Sequence, residues 1–220
     1  MQPKNFSFGK TYSGLSIPAF DFGIHGQQVL ILGGVHGDEH EGVAAAWGLW
    51  QEFCDNFPFK LQVTLVPSFN LDGVLKRQRV NGRGVDLNRN LPTKDWVGDI
   101  QEPRYYPGPA AGSESENAAL IEYLDRRKPK FIISLHSWHP LLNINGNCRK
   151  EAEVIQQHTG YEIKEDIGYP TPGCLGTYCG LERDIPTITY EIQRGQATDA
   201  IVRTHVFAIR EALKIVEGRG

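Results

Sequence analysis

The chain has 220 residues, 40% of them hydrophobic, which is enough for one large core, and 23 basic against 26 acidic side chains leave a formal charge of −3. This balance carries no signature of a nucleic-acid or polybasic membrane partner, so a small soluble ligand is expected. The start of the chain lacks the apolar run and small-residue cleavage site of a secretory signal, and no segment approaches the roughly twenty apolar residues that span a bilayer. A cytoplasmic protein is expected, or a periplasmic one if the chain is trimmed or exported by another route.

The first strong pattern, "QQVLILGGV" (27–35), is the continuous apolar run of a buried strand that ends in two glycines. An Ala- and Leu-rich helix follows in "HEGVAAAWGLWQEF" (40–53), and "LQVTLVPSFN" (61–70) is the next strand. A stretch from about 70 to 112, rich in Gly, Pro, Asn and Arg, then reads as a long loop, and loops of that length are usually functional. Ser113 followed by Glu116 predicts a capping box that opens the helix "SESENAALIEYLDRRK", whose basic last turn complements the helix dipole.

The strand "KFIISLHS" is expected to end at His136, and the β-branched run "IPTITYEI" to end near Glu191. The final helix, "TDAIVRTHVFAIREALKIVEG", is amphipathic and closed by Gly218. Strands alternating with helices predict one α/β domain over residues 1–220, built on a largely parallel or mixed sheet. Ligands in such sheets collect at the carboxyl ends of strands, where His36, His136 and Glu191 all fall. The four cysteines lack CxxC spacing and read as reduced, partly buried thiols.

The stretch "GGVHGDEHEG" (33–42) packs two histidines and three acidic residues into ten positions. His36 and His40 are four apart, but the metalloprotease helix motif HExxH needs a Glu directly after the first His, and here Gly37 follows a strand end. The better pair is His36 and Glu39, with the chain turning through Gly37 so that both point at one place. A catalytic zinc takes three nitrogen and oxygen ligands and keeps a position for water, and His136 supplies the third. Glu191, at the end of an apolar strand near that point, is placed to act as a base. Among Arg77, Arg79, Arg83 and Arg89 the residues alone permit no choice.

Asp38 is a candidate to orient a ligand, since metal-bound histidines usually donate their second nitrogen to a partner. His40 and Glu41 belong to the outer surroundings of the site or to an exposed helix face, and His139 to a surface loop. His25, His158 and His205 read as structural. Ser137 and Trp138, directly after His136, are expected to shape a substrate pocket.

These segments, with "NLDG" (70–73), "RVNGRGVDLNRN" (79–90), "GSESENAAL" (112–120), "SLHSW" (134–138), "YPTPGCLGTY" (169–178) and "TITYEI" (187–192), stand in the order seen in zinc carboxypeptidases of the carboxypeptidase A type. The set most resembles the family's small bacterial murein peptide amidase A branch. The resemblance implies a single-domain mixed β-sheet flanked by helices and one Zn2+ held by His36, Glu39 and His136. It further implies Glu191 as the general base and Arg79 as the arginine that stabilises the oxyanion. Asn88 and Arg89 match the pair that binds a substrate carboxylate. The tyrosine that closes over substrate in the digestive carboxypeptidases has no unambiguous match, Tyr169, Tyr178 or neither being open, and Tyr178 is carried as the substrate-binding candidate together with Ser137.

By the same resemblance the substrate is a small muropeptide, cut between γ-D-glutamate and meso-diaminopimelate, with no nucleic acid or membrane involved and the oligomeric state open. One rival is a zinc deacylase of the aspartoacylase or succinylglutamate desuccinylase kind, which shares HxxE, a DLNR-like segment and a distant His. Another is a muropeptide-binding protein without catalysis. The "RVNGRGVDLNRN", "PTPG" and "TYEI" context favours the peptidase. Departures from the family are Leu71 in "NLDG", where "NPDG" is common, and "IQRG" after the base.

Overall fold

The protein was described from a computed structural model that covers residues 2–100 and 102–219. Apolar runs of β-branched residues form the middle of an eight-stranded mixed sheet. Its strands are β1 (Lys4–Lys10), β2 (Ser16–Phe22), β3 (Gln27–Gly33), β4 (Leu61–Val66), β5 (Phe131–Trp138), β6 (Leu141–Asn145), β7 (Glu162–Lys164) and β8 (Thr187–Gln193). They lie in the order β1-β2-β4-β3-β5-β8-β6-β7. The central four, β4, β3, β5 and β8, run parallel, while β2 and β6 join them antiparallel on either side.

Strand alternation divides the core between the two faces of the sheet. Val29 and Ile31 of β3, Ile133 and Leu135 of β5, and Ile188 and Tyr190 of β8 point to one face. There they pack under α1 (His40–Asp55), α4 (Arg149–Thr159) and α6 (Phe207–Glu217). Leu30, Leu32 and Ile132 point to the other face, under α3 (Ser115–Arg127) and the segment around Leu175. Ser134 and His136 follow Ile132 in the same phase of β5, and Thr189 and Glu191 take the opposite phase to Ile188 and Tyr190 in β8. The polar residues of the two strands therefore share one face at the carboxyl end of the sheet.

Two glycines allow close approach at that end. A side chain on Gly42, in the first turn of α1, would stand 2.5 Å from the carbonyl oxygen of Leu135, so only Gly lets the helix start directly beside β5. A side chain on Gly37 would stand 1.9 Å from the Gly73 carbonyl carbon, in α2 (Leu71–Lys76).

The expected strands and helices are present, with shifted ends. β5 runs on to Trp138 and β8 to Gln193, so His136 and Glu191 lie inside their strands. Glu39 is the residue before α1. The capping box does not form: Ser113 Oγ donates to Glu114 Oε1 at 2.7 Å, α3 starts at Ser115, and Glu116 turns inward to accept from Asn81 and the Tyr12 N–H. The segment read as loop between 70 and 112 contains α2 and two 3-10 turns, Leu87–Arg89 and Pro103–Tyr105. The last helix is interrupted, with α5 (Thr198–Ile201) joined to α6 through a π-helical segment at Val202–Val206. No helix among the described residues is long and apolar enough to cross a membrane. Cys148, Cys174 and Cys179 are buried thiols.

Candidate metal centre and cleft

After β3 the chain leaves the sheet through Gly34 and places His36 and Glu39 above the ends of β3 and β5. The turn is held by the Gly37 N–H donating to the Arg79 carbonyl at 3.3 Å and the Glu39 N–H to the His36 carbonyl at 3.3 Å. His136 rises from β5 beside it. His36, Glu39 and His136 are buried, and each offers a ligand atom within 4.8 Å of the others. His36 Nδ1 lies 2.9 Å from Glu39 Oε1, His136 Nδ1 lies 2.8 Å from Glu39 Oε2, and the two Nδ1 atoms are 3.1 Å apart.

The outer nitrogen of each ring is engaged. His36 Nε2 faces Asp86 Oδ1 at 3.1 Å, and His136 Nε2 faces Ser134 Oγ at 2.9 Å. With Nε2–H donating outward from both rings, both Nδ1 lone pairs turn inward beside the Glu39 carboxylate. Two imidazoles and one carboxylate, braced from behind and open on one side, are the donor set that suits zinc. Burial opposes the charge on Glu39, but His36 and His136 outweigh it and hold its pKa well below the usual range. Burial likewise opposes ionisation of Asp86, and the adjoining His36 and Arg79 overcome it, so this carboxylate also stays charged.

The cluster opens into a cleft of about 340 Å3, within the size range of small-molecule sites. Glu191 lines it from β8. Its Oε2 is buried with no hydrogen-bond partner among the described residues, and burial, reinforced by Glu39, pushes its pKa up to about 7. Arg79 lines it from the side, with Nε and Nη2 each 2.9 Å from Asp86 Oδ2 and Nη1 3.4 Å from Glu39 Oε1. Asn88 and Arg89 enter from the Leu87–Arg89 turn. The Asn88 Oδ1 accepts from the Leu175 N–H at 2.9 Å, and Arg89 Nη1 donates to the Asn88 carbonyl at 2.8 Å.

The structure thus brings eight of the nine residues singled out in the sequence to one place. Ser137 is there with its hydroxyl committed: Oγ donates to Glu41 Oε2 at 2.7 Å, and its backbone N–H donates to Glu39 Oε2 at 3.2 Å. It therefore braces Glu39 through its backbone. Tyr178 is not at the cleft. It is 2% exposed in the core beneath α3, with the Arg183 guanidinium 3.4 Å from its ring centroid, because the π-helical segment Gly176–Leu181 turns it into the sheet. Tyr169, its rival in the sequence, is 44% exposed and lines the cleft, edge-on to Trp138 at 6.0 Å.

Asp38 does not orient a ligand; it pairs with Arg194 at 3.3 Å, and Asp86 fills the orienting place behind His36. Asp86 stood inside the quoted "GVDLNRN", and its cue was a lone acid between Val85 and Leu87, both fully buried or nearly so. Arg104, Tyr105 and Arg194 also line the cleft and were not anticipated.

The sequence model of the family described as zinc carboxypeptidase matches residues 3–199. A murein peptide amidase A of Vibrio campbellii is 30% identical over 215 residues, covering 92% of this chain and 84% of that protein. Among solved structures, murein-tripeptide amidase MpaA from Escherichia coli O157 superposes with a TM-score of 0.78 at 24% identity, over 96% of this chain and 92% of that one. Carboxypeptidase A from Helicoverpa armigera does so with a TM-score of 0.82 at 15% identity, over 97% of this chain and 67% of that one. With a family match over most of its length and a buried donor set suited to the metal for which the family is named, the chain belongs to the zinc carboxypeptidases and is a zinc-dependent hydrolase.

Proposed function

We propose that the protein hydrolyses the amide between γ-D-glutamate and meso-diaminopimelate in murein peptides, using Glu191 as general base. The observation that carries this reading is the buried Glu191 Oε2, without a hydrogen-bond partner among the described residues, on a side chain that lines the same cleft as His36 and Glu39 of the donor set. The relatives named as murein peptide amidases support the substrate class.

His36, Glu39 and His136 would hold the zinc, which would supply Lewis-acid chemistry at the cleft. Glu191 takes one proton from the attacking water, whose oxygen bonds to the glutamyl γ-carbon, and returns it to the departing diaminopimelate nitrogen as the C–N bond breaks. A carboxylate whose burial raises its pKa to about 7 is suited to both halves of that transfer near neutral pH. Arg79 is fixed by Asp86 and donates to the carbonyl oxygen as negative charge develops on it. Asn88 and Arg89 hold the carboxylate beside the scissile bond, where the planar Arg fork meets it with two hydrogen bonds. Tyr169, at the rim, is the aromatic residue that closes over substrate. A cytoplasmic enzyme of this kind would recycle murein peptides.

The test is mass spectrometry of products after the zinc-loaded protein meets L-Ala-γ-D-Glu-meso-diaminopimelate. Free diaminopimelate is the expected product. Its absence, with turnover of N-acyl amino acids instead, would move the assignment to a deacylase.

A further inference from the structure

The cleft is far more basic than the chain that carries it. Arg79, Arg89, Arg104 and Arg194 line it against only two carboxylates, Glu39 and Glu191, in a protein of net charge −3. Two of these arginines are compensated from within the protein: Arg79 rests on Asp86 and Glu39, and Arg194 on Asp38. Arg89 and Arg104 make no ion pair among the described residues. Both are held over the same ring, with their guanidinium carbons 5.5 and 6.0 Å from the Tyr105 centroid. A guanidinium kept over an aromatic face is positioned while its in-plane N–H groups stay available to an acceptor.

The platform itself is fixed. Arg104 and Tyr105 belong to the turn Pro103–Tyr105, and the next residue, Tyr106, accepts the Asp86 N–H at 2.8 Å. The turn is thereby tied to the segment that braces His36 and Arg79. An uncompensated pair of arginines on one platform concentrates positive potential at this wall of the cleft, and the complement is a small ligand with more than one carboxylate.

We propose that Arg104 is a specificity-determining residue that binds a second substrate carboxylate, distinct from the one beside the scissile amide that Arg89 takes. This rests on the murein-peptide reading, whose substrate offers two such groups: the carboxylate at the far end of diaminopimelate and the α-carboxylate of D-glutamate. Either presents the same chemistry to the guanidinium, and substrate analogues separate them.

The experiment compares wild type, Arg104→Ala and Arg104→Lys on three peptides. These are L-Ala-γ-D-Glu-meso-diaminopimelate, the same peptide with L-Lys in place of diaminopimelate, and the same peptide with D-isoglutamine in place of D-Glu. Arg104→Ala is expected to lower kcat/KM on the parent peptide about tenfold or more, chiefly through KM, with partial recovery in Arg104→Lys. The penalty should vanish on the lysine peptide if the far carboxylate is bound, and on the isoglutamine peptide if the α-carboxylate is bound. An Arg104→Ala variant equal to wild type on the parent peptide, or one equally impaired on all three, would overturn the inference alone. Failure of the wild type to cleave any of the three would overturn the murein-peptide reading and this inference with it.

Discussion

His136 and Glu191 are partners in register on the adjacent parallel strands β5 and β8, each inside its strand. Neighbouring strands stand about 4.8 Å apart, so the imidazole proposed as a metal ligand and the carboxylate proposed as base are set side by side by the sheet ladder rather than by loops. Glu39 is braced from the same strand, through the Ser137 N–H. Rigid spacing of this kind is what a proton transfer beside a metal requires.

Removing a ligand should remove the metal. His136→Ala leaves His36 and Glu39 as a two-ligand site, and zinc content after dialysis should fall well below one per chain. Full occupancy in that variant, measured by elemental mass spectrometry, would show that the third ligand is elsewhere.

Asp86 is expected to matter almost as much as a ligand although it does not face the metal position. It accepts from His36 Nε2 and from Arg79, so Asp86→Ala frees both the ring and the guanidinium. Loss of a partner behind a metal-bound histidine costs about 10- to 100-fold in affinity or activity. Competition with a chromogenic chelator measures the affinity, and unchanged zinc affinity together with unchanged turnover would exclude the bracing role.

Arg89→Lys keeps the charge and loses the planar fork. Peptides with a carboxylate beside the scissile bond should lose about tenfold or more in kcat/KM, while analogues amidated at that position should change little. Equal losses on both kinds of substrate would count against carboxylate binding by Arg89.

His205 is expected to make stability pH-dependent from the opposite face of the sheet, through Tyr190. It is 1% exposed, with Nδ1 2.5 Å from the Tyr190 hydroxyl and Nε2 3.1 Å from Gln196 Oε1. The neutral ring satisfies both, accepting from Tyr190 and donating to Gln196. Burial lowers its pKa from 6.5 to about 4, so between those values the unfolded chain binds a proton that the folded chain refuses. Its stabilising contribution is complete above about pH 6.5 and is lost as pH falls toward 4, by up to about 3 kcal/mol. Urea titrations at pH 7 and pH 4.5 should show this loss in wild type and a smaller one in His205→Gln; equal losses would exclude His205 as its source.

The parts of the fold written as long apolar runs were legible in the sequence. β3 and β5 are buried on both faces, so near-continuous Val, Ile and Leu marked them, β8 was marked by its β-branched and aromatic residues, and the polar His136 and Glu191 within these strands marked the site. The outer strands were not: β1 is largely exposed, β2 contains Pro18, and β6 and β7 are five and three residues long. The burial of Tyr178 was not legible because a π-helical segment, which leaves no pattern in composition, decides which way it points. The role of Asp86 was not legible for another reason. Its role depends on His36, fifty positions away, and local spacing carries no record of that contact.

The most direct measurement is zinc content and diaminopimelate release from L-Ala-γ-D-Glu-meso-diaminopimelate, determined side by side for wild type and Glu191→Gln. Both proteins should hold about one zinc, and the variant should release diaminopimelate more slowly by a factor of about 10^2 to 10^4, as expected when a general base is removed. A Glu191→Gln protein as active as wild type would contradict the assignment of the base, and one that had lost its zinc would place Glu191 among the ligands instead.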